Sequence, residues 1–338
     1  MKKVDMIPNY YAYTLKTNGR DLSEEQRIHF FNCINKIYRN NDKFIYRGDK
    51  KEKLYPIYGL DKESSDERFR DTLFILGAKA NMFLTRLPGM NEINIDDANS
   101  SVFNIIFKML SNLLNREFPF GLTRKFVGEF KKRESGVIDF FCNQYNEDQF
   151  IDIISNLTTK QQIIVRDYYL GLLHHVSKSE YYASSFLLST SIDFSQASKF
   201  ASSKEEKDSE NPLIIFGWVP YKYEGVLSVP DSRILRRDIN MEATDLPIYE
   251  KSFFPYQKEV TLKGGLLPHY LLGYLHNKRS EKIFEINPAL FDVSDTWNGI
   301  ELPVDQSTFH QRMQNTLFGR YFTLENESNH FGQMRKHY

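Results

Sequence analysis

FLLSTSIDFSQASKFAS, residues 186–202, marks the point at which the chain changes character. Its first seven residues read as a strand with a hydroxyl-rich end, and residues 193–202 read as a short helix beginning at an Asp or Ser cap. Upstream, from about 62 to 176, the pattern is mostly helical. It runs through DERFRDTLFILGAKANMF, SSVFNIIFKMLSNLLNREF and a stretch around GLTRKFVGEFKKR, and then two helices between Asp148 and His175 that part near Leu157-Thr158-Thr159. Downstream, after the charged loop SKEEKDSENP (203–212), the strand candidates are LIIFGWVP (213–220), GVLSVP, QKEVTL, HYLLGYL and EKIFEI. At the start of the chain, DLSEEQRIHFFNCINKIYRN (21–40) is an amphipathic helix behind an acidic first turn, and FIYRGDKK (44–51) is a short strand ended by a glycine. A helical block followed by a β-rich block that needs one early strand predicts an α+β fold.

The composition excludes several classes. Of 338 residues, 41% are hydrophobic and 26% charged, and no apolar run approaches the ~18–20 residues of a membrane span. Asp5, Pro8 and Asn9 interrupt the N-terminus where a signal peptide needs a continuous apolar stretch, so a cytoplasmic protein is expected. Two cysteines, Cys33 and Cys142, supply neither a disulfide framework nor a cysteine-rich metal site, and no metal is expected. Lys plus Arg equals Asp plus Glu at 44 each, so no global field draws the chain to nucleic acid or membrane. Lys131, Lys132 and Arg133, and Arg233, Arg236 and Arg237, form local basic clusters that read first as solvated surface. There is no G-x-x-x-x-G-K phosphate loop, no G-x-S-x-G elbow and no His-Glu-x-x-His; Gly264-Gly265 lacks the strand–glycine–helix setting of a dinucleotide fold.

Three short pieces remain: Tyr46-Arg47-Gly48 at the end of one strand, Ser189-Thr190-Ser191 at the end of another, and Gln257-Lys258-Glu259 at the start of a third. Each has a plain structural reading, as a strand cap, a polar strand end and a surface acid. Their order and context, however, resemble the mono-ADP-ribosyltransferases of the Arg–Ser–Glu type, over roughly 43–60 and 184–290. The YRG and the run LLHHVSKSEYYASSFLLSTSIDFSQASKFA also resemble FRG-type relatives of that fold. The 142 positions from Arg47 to Ser189 exceed what compact members need. The resemblance therefore implies an N-terminal helical segment (1–42), a split-sheet core (43–60 and 184–300), a large helical insertion (61–183) and a polar tail (301–338), helical from about 305.

The resemblance implies NAD as co-substrate and assigns roles. Loss of nicotinamide leaves an oxocarbenium-like ribose, and Glu259 on the ribose 2′-hydroxyl would stabilise that charge. Arg47 would fork onto the pyrophosphate or a ribose hydroxyl, with Gly48 letting the cofactor approach the backbone. Ser189 would hold Glu259, Thr190 and Ser191 would line the cofactor site, Phe194 or a neighbour would face the nicotinamide ring, and residues 203–212 would fold over NAD. Strand alternation would put Gln257 on the face of Glu259, towards the acceptor. A neutral carboxamide suits a nucleobase edge of RNA or DNA, or an Asn or Gln side chain of a target protein. Phe253, Phe254 and Tyr256 would form the recognition loop and stack an exposed base. An intracellular toxin or antiviral defence effector restrained by an antitoxin-like partner is the expected setting; a phage enzyme acting on host proteins and an inert binding module of the same fold are the alternatives.

Overall fold

The structure, a computed structural model, describes residues 12–39, 43–61, 63–78, 92–94, 98–115, 130–176, 187–202, 211–219, 226–228, 244–249, 257–263, 266, 270–278, 281–291 and 323–325. The fold is α+β. The chain forms two compact units, one of Met1–Thr85, Leu188–Val226 and Tyr256–Leu317, the other of Arg86–Leu187, Leu227–Pro255 and Phe318–Tyr338.

In chain order, β1 (Thr14–Thr17) and β2 (Arg20–Asp21) make a hairpin. Its turn is Asn18-Gly19, with φ 52° and 72°, the left-handed values that a two-residue Asn-Gly turn supplies. Helix α1 (Glu24–Arg39) opens with a capping box: the Gln26 amide donates to the Ser23 hydroxyl at 3.2 Å, and the Ser23 amide donates to the Gln26 carboxamide at 3.0 Å. Then come β3 (Lys43–Lys50), the single turn α2 (Lys51–Leu54) and α3 (Asp66–Leu76), capped by Ser65 and ended at Gly77. Next are β4 (Glu92–Asn94), α4 (Ser100–Leu114), α5 (Ser135–Cys142), α6 (Asn146–Ser155) and α7 (Thr159–Val176). The last part holds β5 (Leu187–Ser191), α8 (Phe194–Ala201), β6 (Pro212–Val219), β7 (Val226–Ser228), β8 (Glu259–Lys263), β9 (Leu271–Lys278), β10 (Glu281–Ile286) and β11 (Thr323–Glu325).

The first unit is built on a mixed sheet in the order β2-β1-β10-β9-β6-β3-β5-β8. β1 runs parallel to β10, whereas β10–β9, β9–β6, β6–β3 and β3–β5 pair antiparallel. Register sorts the faces. Tyr46 lies opposite Phe216 and Gly48 opposite Ile214, and that face is covered by Phe194 of α8 and Phe30 of α1, whose ring lies 6.1 Å from Phe284. Arg47 lies opposite Ile215, which lies opposite Tyr274; on that face Tyr274 meets Phe69 and Phe74 of α3 at 5.8 and 5.7 Å. Helix α3, expected within the insertion, is thus part of the sheet's own covering.

The second unit is helical, with a core of Phe103 and Phe107 from α4, Phe141 from α5, Phe150 from α6 and Tyr169 from α7. Tyr168 stacks on Tyr249 at 5.0 Å and accepts from the Tyr249 amide at 2.9 Å, and the Tyr169 hydroxyl donates to the Pro247 carbonyl at 2.9 Å. The break near 157–159 falls where expected, because the Thr158 hydroxyl and the Gln161 side chain cap α7. The tail departs from the helical expectation in its described part: Thr323–Glu325 is a strand paired antiparallel with β4. Among the described residues no helix is long and apolar enough to cross a membrane, and no group of three or more His, Cys, Asp or Glu is placed to hold a metal.

Candidate functional site

The three sequence motifs fall on or just before adjacent strands: Arg47 is on β3, Ser189 to Ser191 are on β5, and Glu259 opens β8. Arg47 sits on β3 with 8% of its surface exposed. Its Nε and Nη2 both donate to Asp49 Oδ2, at 3.1 and 2.8 Å, and its Nη1 donates to the Ser189 carbonyl at 2.8 Å. Asp49, 6% exposed, is two residues along the same strand and so shares its face. Its Oδ1 accepts from the Lys50 amide at 3.0 Å. The guanidinium therefore fastens β3 to β5 while neutralising a buried carboxylate. Removing one partner of such a pair costs about 3–5 kcal/mol, because the other charge stays buried.

Gly48 meets a packing demand. A Cβ there would lie 1.8 Å from the Ala197 carbonyl oxygen and 2.8 Å from the Ala201 nitrogen. The closeness of α8 to β3 is enough by itself to require glycine there. Phe194, on the first turn of α8, packs edge-on against Tyr46 at 5.7 Å, and Tyr46 in turn meets Phe216 at 5.2 Å. Burial pushes the Tyr46 phenol up to about 12.

β5 holds the third motif through its hydroxyls. Thr190 Oγ1 donates to the Val260 carbonyl, and Ser191 Oγ donates to the Gln257 carbonyl at 2.6 Å while accepting from the Asp193 amide at 3.0 Å. The Ile192 amide donates to the Lys258 carbonyl at 3.2 Å. Asp193 caps α8 by accepting from the Ser195 amide and hydroxyl at 2.9 and 2.7 Å, and it pairs with Lys258 Nζ at 2.9 Å. The Ser195 and Lys258 bonds hold its carboxyl down at about 2.

Glu259 is the first residue of β8 and is half-buried; its Oε1 accepts from Thr261 Oγ1 at 3.3 Å. Gln257 lies outside the strand. Lys258 has φ 45°, so the backbone turns left-handed between the two, and strand alternation does not carry over from 259 to 257. Ser189 is half-buried and gives its carbonyl to Arg47. Phe253, Phe254 and Tyr256 lie outside the described residues, as does the loop over 203–210.

Two contributors escaped the sequence reading. Asp49 was findable, since Arg-x-Asp on a strand puts both charges on one face. Lys258 carried no signal, because its role depends on a left-handed backbone that a lysine rarely adopts. Comparison of the chain with protein-family models, with curated proteins and with solved structures found no match.

Proposed function

We propose that the chain is an NAD-dependent mono-ADP-ribosyltransferase on an ADP-ribosyltransferase-like sheet, acting inside its own cell as a toxin or defence effector under the restraint of a partner. The supporting observation is the adjacency of β3, β5 and β8: Arg47 bonds to Ser189, and Ser191 bonds to Gln257, beside Glu259. In this reading Glu259 accepts a hydrogen bond from the ribose 2′-hydroxyl and stabilises the positive charge that grows as nicotinamide departs. The hydroxyls of Thr190 and Ser191 hold the β8 entrance in place, so that the carboxylate is positioned before the substrate arrives. Arg47 fixes β3 against β5, and any contact with the pyrophosphate comes from a guanidinium already forked on Asp49. Gln257 and the aromatic segment at Phe253, Phe254 and Tyr256 read the acceptor, a nucleobase of RNA or DNA in preference to a protein Asn or Gln.

The test is transfer of label from NAD to total RNA, DNA or lysate protein. Glu259→Gln is expected to cut transfer by roughly 10²–10³, the loss that goes with one transition-state contact. Near-normal transfer by a folded Glu259→Gln protein would sink the assignment. One observation favours a second reading, an inert binding module: Arg47 is buried and engaged by Asp49. That reading expects NAD to bind without labelling any pool.

A further inference from the structure

Among the described residues, three non-glycine positions have positive φ: Asn18 at 52°, Asp245 at 57° and Lys258 at 45°. Asn and Asp visit the left-handed region comparatively readily, because a short polar side chain can bond to the nearby backbone; lysine has no such compensation. A glycine at 258 would make the same turn without strain. What glycine lacks is the ammonium, and the ammonium is engaged. Lys258 Nζ donates to Asp193 Oδ2 at 2.9 Å. Asp193 is fixed in turn as the cap of α8, where its Oδ1 accepts from the Ser195 amide and hydroxyl at 2.9 and 2.7 Å. The side chain of Lys258 is 56% exposed and that of Asp193 23%, and a pair so open to water adds little to global stability. Its effect is to be sought locally.

The backbone beside the pair shows what is held. Successive carbonyls of a regular strand point to opposite edges. Here the carbonyls of Gln257 and Lys258 both turn to the end of β5: Ser191 Oγ donates to the first at 2.6 Å, and the Ile192 amide donates to the second at 3.2 Å. The left-handed residue thus takes position 257 out of the alternation that would set its side chain on the face of Glu259. The conformation at 258 decides how the two side chains are directed relative to each other.

We infer that Lys258 is a positioning residue: its ammonium, anchored on Asp193, holds the backbone left-handed at 258 and so sets the direction in which Gln257 leaves the chain relative to Glu259. The consequence for function rests on the transferase reading. There Glu259 serves NAD and Gln257 reads the acceptor, so Lys258 governs use of the acceptor and leaves cleavage of NAD to Glu259. The hold on the turn needs no activity to be observed.

The test compares Lys258→Met, Lys258→Gly, Lys258→Arg and Asp193→Asn in the full chain. Met keeps the bulk and the strain but loses the charge, Gly loses charge and strain together, Arg keeps the charge, and Asn still caps α8 without a charge. Two readouts are taken: hydrogen exchange of the Ile192 amide and, with labelled NAD, the ratio of transfer to hydrolysis. Lys258→Met and Asp193→Asn are expected to speed Ile192 exchange roughly threefold or more, the local effect of losing an exposed ion pair. They are expected to lower the ratio about tenfold, within the range that a misplaced group produces. Lys258→Arg and Lys258→Gly are expected to stay within about twofold of the wild type in both, since each retains the turn by one of the two means. A merely stabilising role would not move the ratio, because transfer and hydrolysis need the same folded protein. Lys258 is not a positioning residue if Lys258→Met leaves either readout at the wild-type value, or if Lys258→Gly falls with Lys258→Met. A wild-type protein that consumes no NAD sinks the transferase reading instead, and Ile192 exchange in the four variants then decides the role of Lys258 by itself.

Discussion

Gly48 and Gly59 show how one residue type meets two unrelated demands. Gly59 ends the short turn after Pro56 with φ 64°, and a Cβ there would meet nothing within 4 Å. Its requirement is conformational, and Gly59→Ala is expected to cost about 1–2 kcal/mol, the penalty of a left-handed backbone for a residue with a Cβ. Gly48 has an ordinary backbone, yet its Cβ would lie 1.8 Å from the Ala197 carbonyl oxygen. Neither neighbour is a side chain that can swing away, so β3 and α8 must separate. Gly48→Ala is therefore expected to lower stability by about 3 kcal/mol or more, at or beyond the upper end of ordinary overpacking. Denaturant midpoints of the two variants measure the contrast; a Gly48→Ala protein as stable as Gly59→Ala would show that α8 does not pack as described. The same closeness bears on the neighbouring arginine. With one face of β3 sealed by α8, Arg47 and Asp49 lie together on the other face, where they satisfy one another.

The elements that define the candidate site are held by side chain to backbone bonds more than by a regular ladder. Among the described residues, β3 and β5 pair in register only at Tyr46 and Ser191, and the backbone at Lys258 departs from strand geometry just before β8 begins. Ser191 closes this gap, with its hydroxyl between the Gln257 carbonyl and the Asp193 amide. Ser191→Ala is expected to release both groups, speeding exchange of the Asp193 and Ile192 amides roughly fivefold for each ~1 kcal/mol of hydrogen bonding lost. Unchanged exchange at these amides would mean that the β8 entrance is held by other contacts. The strands β3, β5, β6, β9 and β10 were legible because each is a long apolar or alternating run bounded by turn residues. β1 was not: Thr14–Thr17 is four residues long, and its parallel partner lies more than two hundred residues away, so no local pattern announces it. Gln257 was misplaced on a strand face for a related reason. The alternation rule is sound, but the left-handed turn at Lys258 that cancels it is rare for lysine.

At the scale of the whole molecule, the motifs were legible as an ordered set because residue types at three strand ends survive any length of insertion between them. The helical character of α4 to α7 was visible in its periodicity, but the membership of α3 in the sheet's covering was not, because an amphipathic helix does not state which apolar surface it will meet. Charge is the remaining global quantity, and it bears on the acceptor. With 44 basic and 44 acidic side chains, the chain has no long-range attraction to a phosphate backbone, so the proposed nucleic acid acceptor would have to be captured locally. Capture of that kind has two consequences. A base can reach the ribose carbon only when it is unstacked, which costs a few kcal/mol in a duplex and little in a single strand. Each phosphate contact that aids capture releases a counter-ion, so binding weakens as salt rises, with a slope set by the few contacts that exist. Transfer of label from NAD is therefore expected to be faster to a single strand than to a duplex of the same sequence, and to fall with salt less steeply than for a strongly basic protein. Gln257→Ala is expected to remove transfer while slow NAD hydrolysis by water continues, since Glu259 and its supports on β5 remain. If label instead enters lysate polypeptide and survives nuclease treatment, the acceptor is a protein side chain, and the transferase assignment stands with a different target. If Gln257→Ala abolishes hydrolysis and transfer together, residue 257 serves the NAD half of the site, and the division of labour between Gln257 and Glu259 is wrong.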